Sequence, residues 1–346
     1  MKKKKVSKAE WALRVVLLVG TIISMFYVPW PVVKGWLTPI PDTVQEQVEQ
    51  GLNYGFDGVV VYIDQGGRTP EYYAAGWHDR DRKIPADPNG LFKIASIDKL
   101  YTASAITRLV ANGQLLLDGT VAEYFPEFAG RFENSDRITL RMLVKHRSGI
   151  PNYTDTPSFW SDPPTSQMEV LESAFDLPAE FEPDAKWMYC NTNYLLLSML
   201  IEKVTGKSKF EYIKKVILDP LGLVNTFASI HTIDMNRLMS GYYVGVIEDI
   251  KSSDYGCMIA TAEDVGAFVR TLNTGTLLSE KEQELYSELY AYDHTGLVPG
   301  YMSRAKYYED LDAVVIQFVN TTNFDGYEWN LGSLLNRRIV KILRNR

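Results

Sequence analysis

Cysteine and histidine are scarce in this chain. Among 346 residues there are two cysteines, Cys190 and Cys257, and four histidines, His78, His146, His231 and His294. Two thiols cannot build a disulfide framework or a cysteine-rich metal site; they are either free or joined in one bridge. The histidines are scattered, and none falls in HExxH or another metal-ligand spacing. A glycine-rich phosphate loop, a dinucleotide fingerprint and an internal repeat are also missing. Basic charge is short outside the first forty residues. That leader carries seven basic side chains (Lys2, Lys3, Lys4, Lys5, Lys8, Arg14, Lys34) and one acid, Glu10, leaving 29 basic and 42 acidic residues and a net charge of −13 in the remainder. An acidic body argues against nucleic acid as a partner, because phosphate contacts need clustered Lys and Arg.

What is present is a core. Hydrophobic residues make up 46% and charged residues 23%, enough for one large domain or two intimate ones. The run Val15–Val33 holds nineteen residues without a charge, behind the basic start MKKKK. At about 1.5 Å per residue such a run nearly spans a bilayer core of roughly 30 Å. The lysines stay in the cytoplasm and the body is sent outward. A cleaved signal peptide shares the basic start, but no small-x-small cleavage site precedes Pro41. The expected organisation is therefore a basic tail and membrane anchor or signal segment over 1–40 and a folded body over 41–346. The corresponding location is the cell membrane, single-pass with the body outside, or secreted after cleavage.

Along the body, a helix is expected from about Thr43, then strands over Gly58–Gln65 and Glu71–Trp77 around the turn GGRTP. Phe92–Ala95 enters a helix to about Asn112, with Ala103, Ile106 and Val110 at helical spacing. The middle is mostly helical: Leu140–Lys145, Thr192–Val204, Phe210–Ile217 and Ala262–Leu272. YMSRAKYYED and DAVVIQFVN form a hairpin, and an amphipathic helix runs through Leu331–Leu343. This order predicts an α/β part made from both ends of the chain, about 41–115 and 290–346, with a helical part inserted at about 116–289. Sites often lie in the cleft between two such parts.

Three short stretches carry chemistry. In FKIASIDKL, Ser96 and Lys99 are three apart and so neighbours on one helix face. A serine hydroxyl is a weak nucleophile until a base takes its proton. Burial and the positive end of a helix both disfavour an ammonium, which suits the position to an amine acting as base. Taken alone, the tetrad is equally a capping serine with a solvated lysine. In YCNTNY, Tyr189 and Asn191 point to the same side of an extended segment. In AYDHTGLVPGY, His294, Thr295 and Gly296 start a late strand, and Gly296 lets a substrate backbone come close. A packed tyrosine, a turn asparagine and a surface histidine account for these two stretches when each is read singly. Ser148 in HRSGIPNY sits in a turn, with no base at helical spacing, and His146 beside it reads as structural.

In chain order, SIDK, YCN and HTG resemble the Ser-x-x-Lys, Tyr-x-Asn and Lys/His-Thr-Gly motifs of the serine β-lactamase and penicillin-binding-protein superfamily. The likeness is strongest to its class C β-lactamase and DD-peptidase branch. It covers roughly residues 45–320, including LVANGQLLLDGTVAEYFPEF, ITLRMLVKHRSGIPNY and NTNYLLLSMLIEKVTGKSKFEYIKKVILDPLGL. The resemblance implies an α/β (α+β) fold, an antiparallel sheet flanked by helices plus an inserted all-helical subdomain. It implies an acyl-enzyme hydrolase acting on a small peptide, ester or β-lactam, with no metal or organic cofactor. Ser96 would be the nucleophile, Lys99 and Tyr189 would share the base work, and Asn191 would position Lys99 and substrate. His294 and Thr295 would orient Tyr189 and a substrate carboxylate. The backbone N–H groups of Ser96 and Leu297, the latter following Gly296, would form the oxyanion hole. HTG in place of KTG is closer to the DD-peptidases and esterases than to dedicated lactamases. D-alanyl-D-alanine carboxypeptidase or β-lactamase activity is the expectation, with a short-chain acyl esterase or a non-turnover sensor of wall fragments as alternatives. Asp98, where Ser or Thr is common, is expected to point away from the cleft.

Overall fold

The computed structural model describes residues 7–156, 159–160 and 166–346. A six-stranded antiparallel sheet forms the frame, in the order Ile84–Pro85, Glu71–Asp79, Gly58–Gln65, Ala313–Val319, Tyr301–Tyr308, His294–Val298. The two ends of the chain meet at its centre, where Val61 pairs with Gln317 and Tyr62 with Ile316. GVVVYI is a near-continuous apolar run because both faces of this strand are covered. Val59, Val61 and Ile63 pack with Leu331, Leu335 and Ile339 of the C-terminal helix Glu328–Arg344. Val60 and Tyr62 face a larger core that includes Leu100, Ile106 and Phe268. The mixed architecture, antiparallel sheet and flanking helices, is the one expected.

The helix Asp98–Ala111 lies against that second face. Leu100, Tyr101, Ala103, Ala105, Ile106 and Leu109 are fully buried, so the helix is covered nearly all round. It is preceded by a 3-10 turn, Ala95–Ile97, and Ser96 is the middle residue of that turn. Ser96 is therefore not the cap of an α-helix; Ile97 holds that position.

The apolar leader departs from expectation. Lys8–Met25 and Trp30–Leu37 are two helices, 83° apart, and no single helix among the described residues is long and apolar enough to cross a membrane; the bent pair passes on length and composition together. The break has a local cause. Pro29 and Pro31 disfavour helical backbone in Val28 and Trp30 but are tolerated in a first helical turn, so one helix ends and another begins there. The second helix is docked on the body. Gly35 is buried at a spot where a Cβ would stand 2.7 Å from Leu334 Cδ2. The buried Arg338 donates to the carbonyls of Gly35 (3.1 Å), Thr38 (2.8 Å) and Pro39 (2.6 Å) and to Gln47 Oε1 (2.7 Å).

Candidate active site

Ser96 is presented by a strained turn. Ala95, just before it, has φ 49°, a left-handed conformation that costs a non-glycine residue about 1 kcal/mol or more. The short strand Phe92–Lys93 enters the turn and the helix Asp98–Ala111 leaves it, and both are held by the core. Lys99 lies on the first turn of that helix, largely buried. Its Nζ is 3.3 Å from Ser96 Oγ and donates to Asn191 Oδ1 at 2.9 Å.

Tyr189 reaches the same serine from the other side, donating from its hydroxyl to Ser96 Oγ at 2.7 Å. The segment that carries it runs beside residues 146–147: Asp184 N donates to Arg147 O and Met188 N to His146 O, each at 2.9 Å. The buried His146 ring supports the motif from behind. Its Nδ1 accepts from Cys190 N at 3.1 Å, and it packs on Tyr189 and Tyr194 with centroids 4.6 and 5.0 Å away. Burial, and then the charge of Lys99, push its pKa down to about 3, so the ring is neutral. Ser148 is buried too, donating to Asn193 Oδ1 at 2.7 Å and capping Ile150 N, which makes it part of the turn.

Asn191 starts the helix Asn191–Thr205. Its orientation is fixed by two residues that sequence reasoning missed. Asn152 Oδ1 accepts from Asn191 N at 2.8 Å, and Thr154 Oγ1 accepts from Asn191 Nδ2 at 3.1 Å. With the amide nitrogen so engaged, the amide oxygen faces Lys99. The signal for both lies in PNYTD, the turn directly after SGI, whose polar side chains turn back onto Asn191.

The edge strand His294–Val298 closes the site. Gly296 pairs with Ser303, and Leu297 lines the cleft beside Ser96 and Thr295. His294 lies beside Tyr189 as a tilted ring pair, centroids 6.3 Å apart, and takes its hydrogen bonds elsewhere. Its Nε2 accepts from Tyr290 OH at 2.9 Å and its Nδ1 donates to Thr295 O at 2.6 Å. Burial, followed by the charge of Lys99, pushes its pKa down to about 4, so it is neutral with both nitrogens occupied. Tyr290 is thus the partner that the sequence did not announce.

Asp98 is a second correction. It lines the cleft instead of turning away, and it is ion-paired with Lys209. Cys190 and Cys257 are both free and buried, and burial pushes each thiol up to about 11. The cleft has a volume of about 790 Å³ and aromatic walls that include Tyr153, Trp160, Trp187 and Tyr255. Among the described residues no group of His, Cys, Asp and Glu is arranged to hold a metal ion.

A hydroxyl contacted at once by an amine and a phenol beside a strand edge is an arrangement for acyl transfer. The Beta-lactamase family model matches residues 41–326, most of the chain. The chain belongs to the Beta-lactamase family. This is a family of serine hydrolases. Penicillin-binding protein 4* of Bacillus subtilis (strain 168) is 30% identical over 211 residues, 59% of this chain and 45% of that protein. Protein flp of Staphylococcus aureus (strain N315) is 26% identical over 195 residues, 55% of this chain and 39% of that protein. The chain thus matches less than half the length of these curated relatives. Among solved structures, a D-amino acid amidase from Ochrobactrum anthropi SV3 superposes with TM-score 0.78 at 24% identity, covering 87% of this chain and 97% of the other. A penicillin binding protein from Bacillus halodurans gives TM-score 0.71 at 22% identity, covering 85% and 98%. At those identities the likeness is one of fold.

Proposed function

We propose that this chain is an envelope serine hydrolase that forms an acyl-enzyme on Ser96 with an amide or ester substrate. The observation that carries the reading is the double contact on one oxygen: Lys99 Nζ and Tyr189 OH both reach Ser96 Oγ. As Oγ attacks the carbonyl carbon, its proton passes to the Lys99–Tyr189 pair. The oxyanion settles between the N–H groups of Ser96 and Leu297, where each donor contributes about 3 kcal/mol to lowering the barrier. Collapse expels the leaving amine or alkoxide, which takes that proton through Tyr189. Water then repeats the cycle, regenerates Ser96 and releases the acid. Asn191 holds Lys99 in register, and Thr295 is placed at the cleft for the substrate's far end.

A D-alanyl-D-alanine-type peptide is the leading substrate class, supported by the similarity to penicillin-binding proteins and by the basic, apolar leader that suits an envelope protein. A short acyl ester or a D-amino acid amide is the second reading, favoured by the neutral, fully bonded His294, which offers a substrate carboxylate no charge. Mass spectrometry after treatment with a fluorophosphonate or a penicillin should find the adduct on Ser96 and none in Ser96→Ala. No adduct with either reagent would remove the nucleophile assignment. Relative turnover of a D-Ala-D-Ala peptide and a nitrophenyl ester separates the substrate classes, and acylation without turnover marks a sensor.

A further inference from the structure

The leader and the body are joined by a second device that the nucleophile and its partners do not use. Lys8–Met25 buries none of its residues, and its apolar side chains all face outward. At its end the chain bends, and the next helix, Trp30–Leu37, leaves at 83°. Around this bend Phe26, Tyr27, Trp30, Trp36 and Leu37 are all exposed, Phe26 and Tyr27 to 82%. The inner side of the same short helix is fastened. Gly35 fits under Leu331 and Leu334, Val32 packs on the core, and Arg338 takes the carbonyls of Gly35, Thr38 and Pro39 at its exit. One side of Trp30–Leu37 is therefore locked to the C-terminal helix and the other is an aromatic ledge.

We infer that Trp30–Leu37 is a rigid foot that lies in the headgroup boundary of a bilayer and fixes how the catalytic cleft faces the membrane. The inference rests on the anchored reading of residues 1–40, with Lys8–Met25 as the inserted segment in place of the whole run Val15–Val33. If Lys8–Met25 enters the bilayer along its normal, a helix at 83° to it lies along the surface. Tryptophan and tyrosine favour that boundary, with an apolar ring body and one polar handle. Charge agrees at the foot itself: Trp30–Leu37 has no acid, and Lys34 and, beside it, Arg337 are basic. Residues 41–346, at −13 overall, would be repelled by anionic lipid, whereas the foot carries no acid. Trp329, which lines the cleft, is two residues from Leu331, which packs on Gly35, in the same helix. The foot and the cleft are thereby coupled through one turn of rigid structure. The hydrolase would take acyl donors presented at the membrane surface rather than deep in solution.

The test uses the full chain in vesicles of phosphatidylglycerol and phosphatidylethanolamine, some carrying lipids brominated near the headgroup and some near the chain end. Flotation reports the anchor, and tryptophan quenching reports the foot. In a Trp11→Phe background, headgroup-side bromines should quench more than chain-end bromines, and adding Trp30→Phe/Trp36→Phe should lose most of that shallow quenching while the chain still floats. Flotation with shallow quenching unchanged in the variant would overturn the foot and leave the anchor standing. Failure of the wild-type chain to float would overturn both. Arg338→Met supplies a second readout: a fluorophore on the body should tumble faster on the vesicle once the latch is cut. Unchanged anisotropy in a folded, floating variant would show that no rigid coupling exists. If the foot instead pairs two copies, sedimentation in detergent will show a dimer that the double tryptophan variant abolishes, and the lipid assignment falls.

Discussion

Gly296 sits against the backbone of Ile94, so close that a Cβ at position 296 would stand 2.3 Å from the Ile94 carbonyl oxygen and 2.9 Å from Ala95 Cβ. The edge strand and the turn that carries Ser96 are thus set against each other at a distance only glycine permits. Ser303, paired with Gly296, ties the same carbonyl with a 2.9 Å hydrogen bond from Oγ. Gly296→Ala should push the strand off the turn and move Leu297 N–H away from Ser96. A misplacement near 1 Å costs about a hundredfold in rate, and the overpacking about 1–3 kcal/mol in stability. Ester-hydrolysis kinetics beside thermal unfolding checks both, and a variant with wild-type kinetics would mean the gap is not needed.

Tyr189→Phe removes the phenolic oxygen 2.7 Å from Ser96 and leaves the ring packed against His146. Folding should be unchanged and acylation slower by about 10²–10⁴, the usual range for a proton-transfer group. Thr154→Val should act more mildly. It frees the Asn191 amide to turn, for a loss of about 1 kcal/mol, or several-fold in kcat. Burst and steady-state rates on one ester would rank the two, and the reverse ranking would shift the proton work away from Tyr189.

The strands Gly58–Gln65 and Tyr301–Tyr308 and the final helix were legible because apolar runs, turn residues and amphipathic spacing are local signals. The motif residues were legible through resemblance, since no local property of SIDK requires Tyr189, 93 residues away, to lie beside it. The short strand Phe92–Lys93 is set by pairing with Ile259–Ala260, a contact between distant segments that two residues cannot encode. Asp98 was misplaced because helix-end electrostatics account for an acid there without revealing Lys209. The leader was read by composition, which counts apolar residues, whereas Pro29 and Pro31 decide where the helix stops.

His294 and His146 make stability depend on pH. Their pKa values fall to about 4 and about 3 in the fold, against 6.5 unperturbed, burial being the first cause in both. A depressed histidine pKa means that the unfolded chain takes up protons first as pH drops. The full stability is therefore present above about 6.5 and declines as pH falls toward 4. For His294 alone the decline is roughly 3 kcal/mol by pH 4. Denaturant midpoints measured between pH 7 and 4 should fall, and His294→Gln should flatten part of the slope. A profile in which the substitution changes nothing would mean that His294 is solvated.

Arg338 joins elements almost three hundred positions apart, and its partners are neutral: carbonyls of Gly35, Thr38 and Pro39 and the side-chain oxygens of Gln47 and Gln50. A buried guanidinium without a carboxylate is held by the number of its acceptors, and those acceptors depend on it in turn. Arg338→Met keeps much of the side-chain volume but leaves several buried oxygens without a donor. Because hydrogen bonds to charged groups contribute about 1.5–3 kcal/mol each and the carbonyls near the surface can turn to water, a net loss of about 3 kcal/mol is expected. The loss should be local before it is global. Residues 35–42 should exchange their amides faster and become sensitive to protease while the sheet stays protected. Hydrogen exchange read segment by segment distinguishes this from general destabilisation, and equal loss of protection across Gly58–Gln65 would mean that Arg338 supports the whole body rather than the junction.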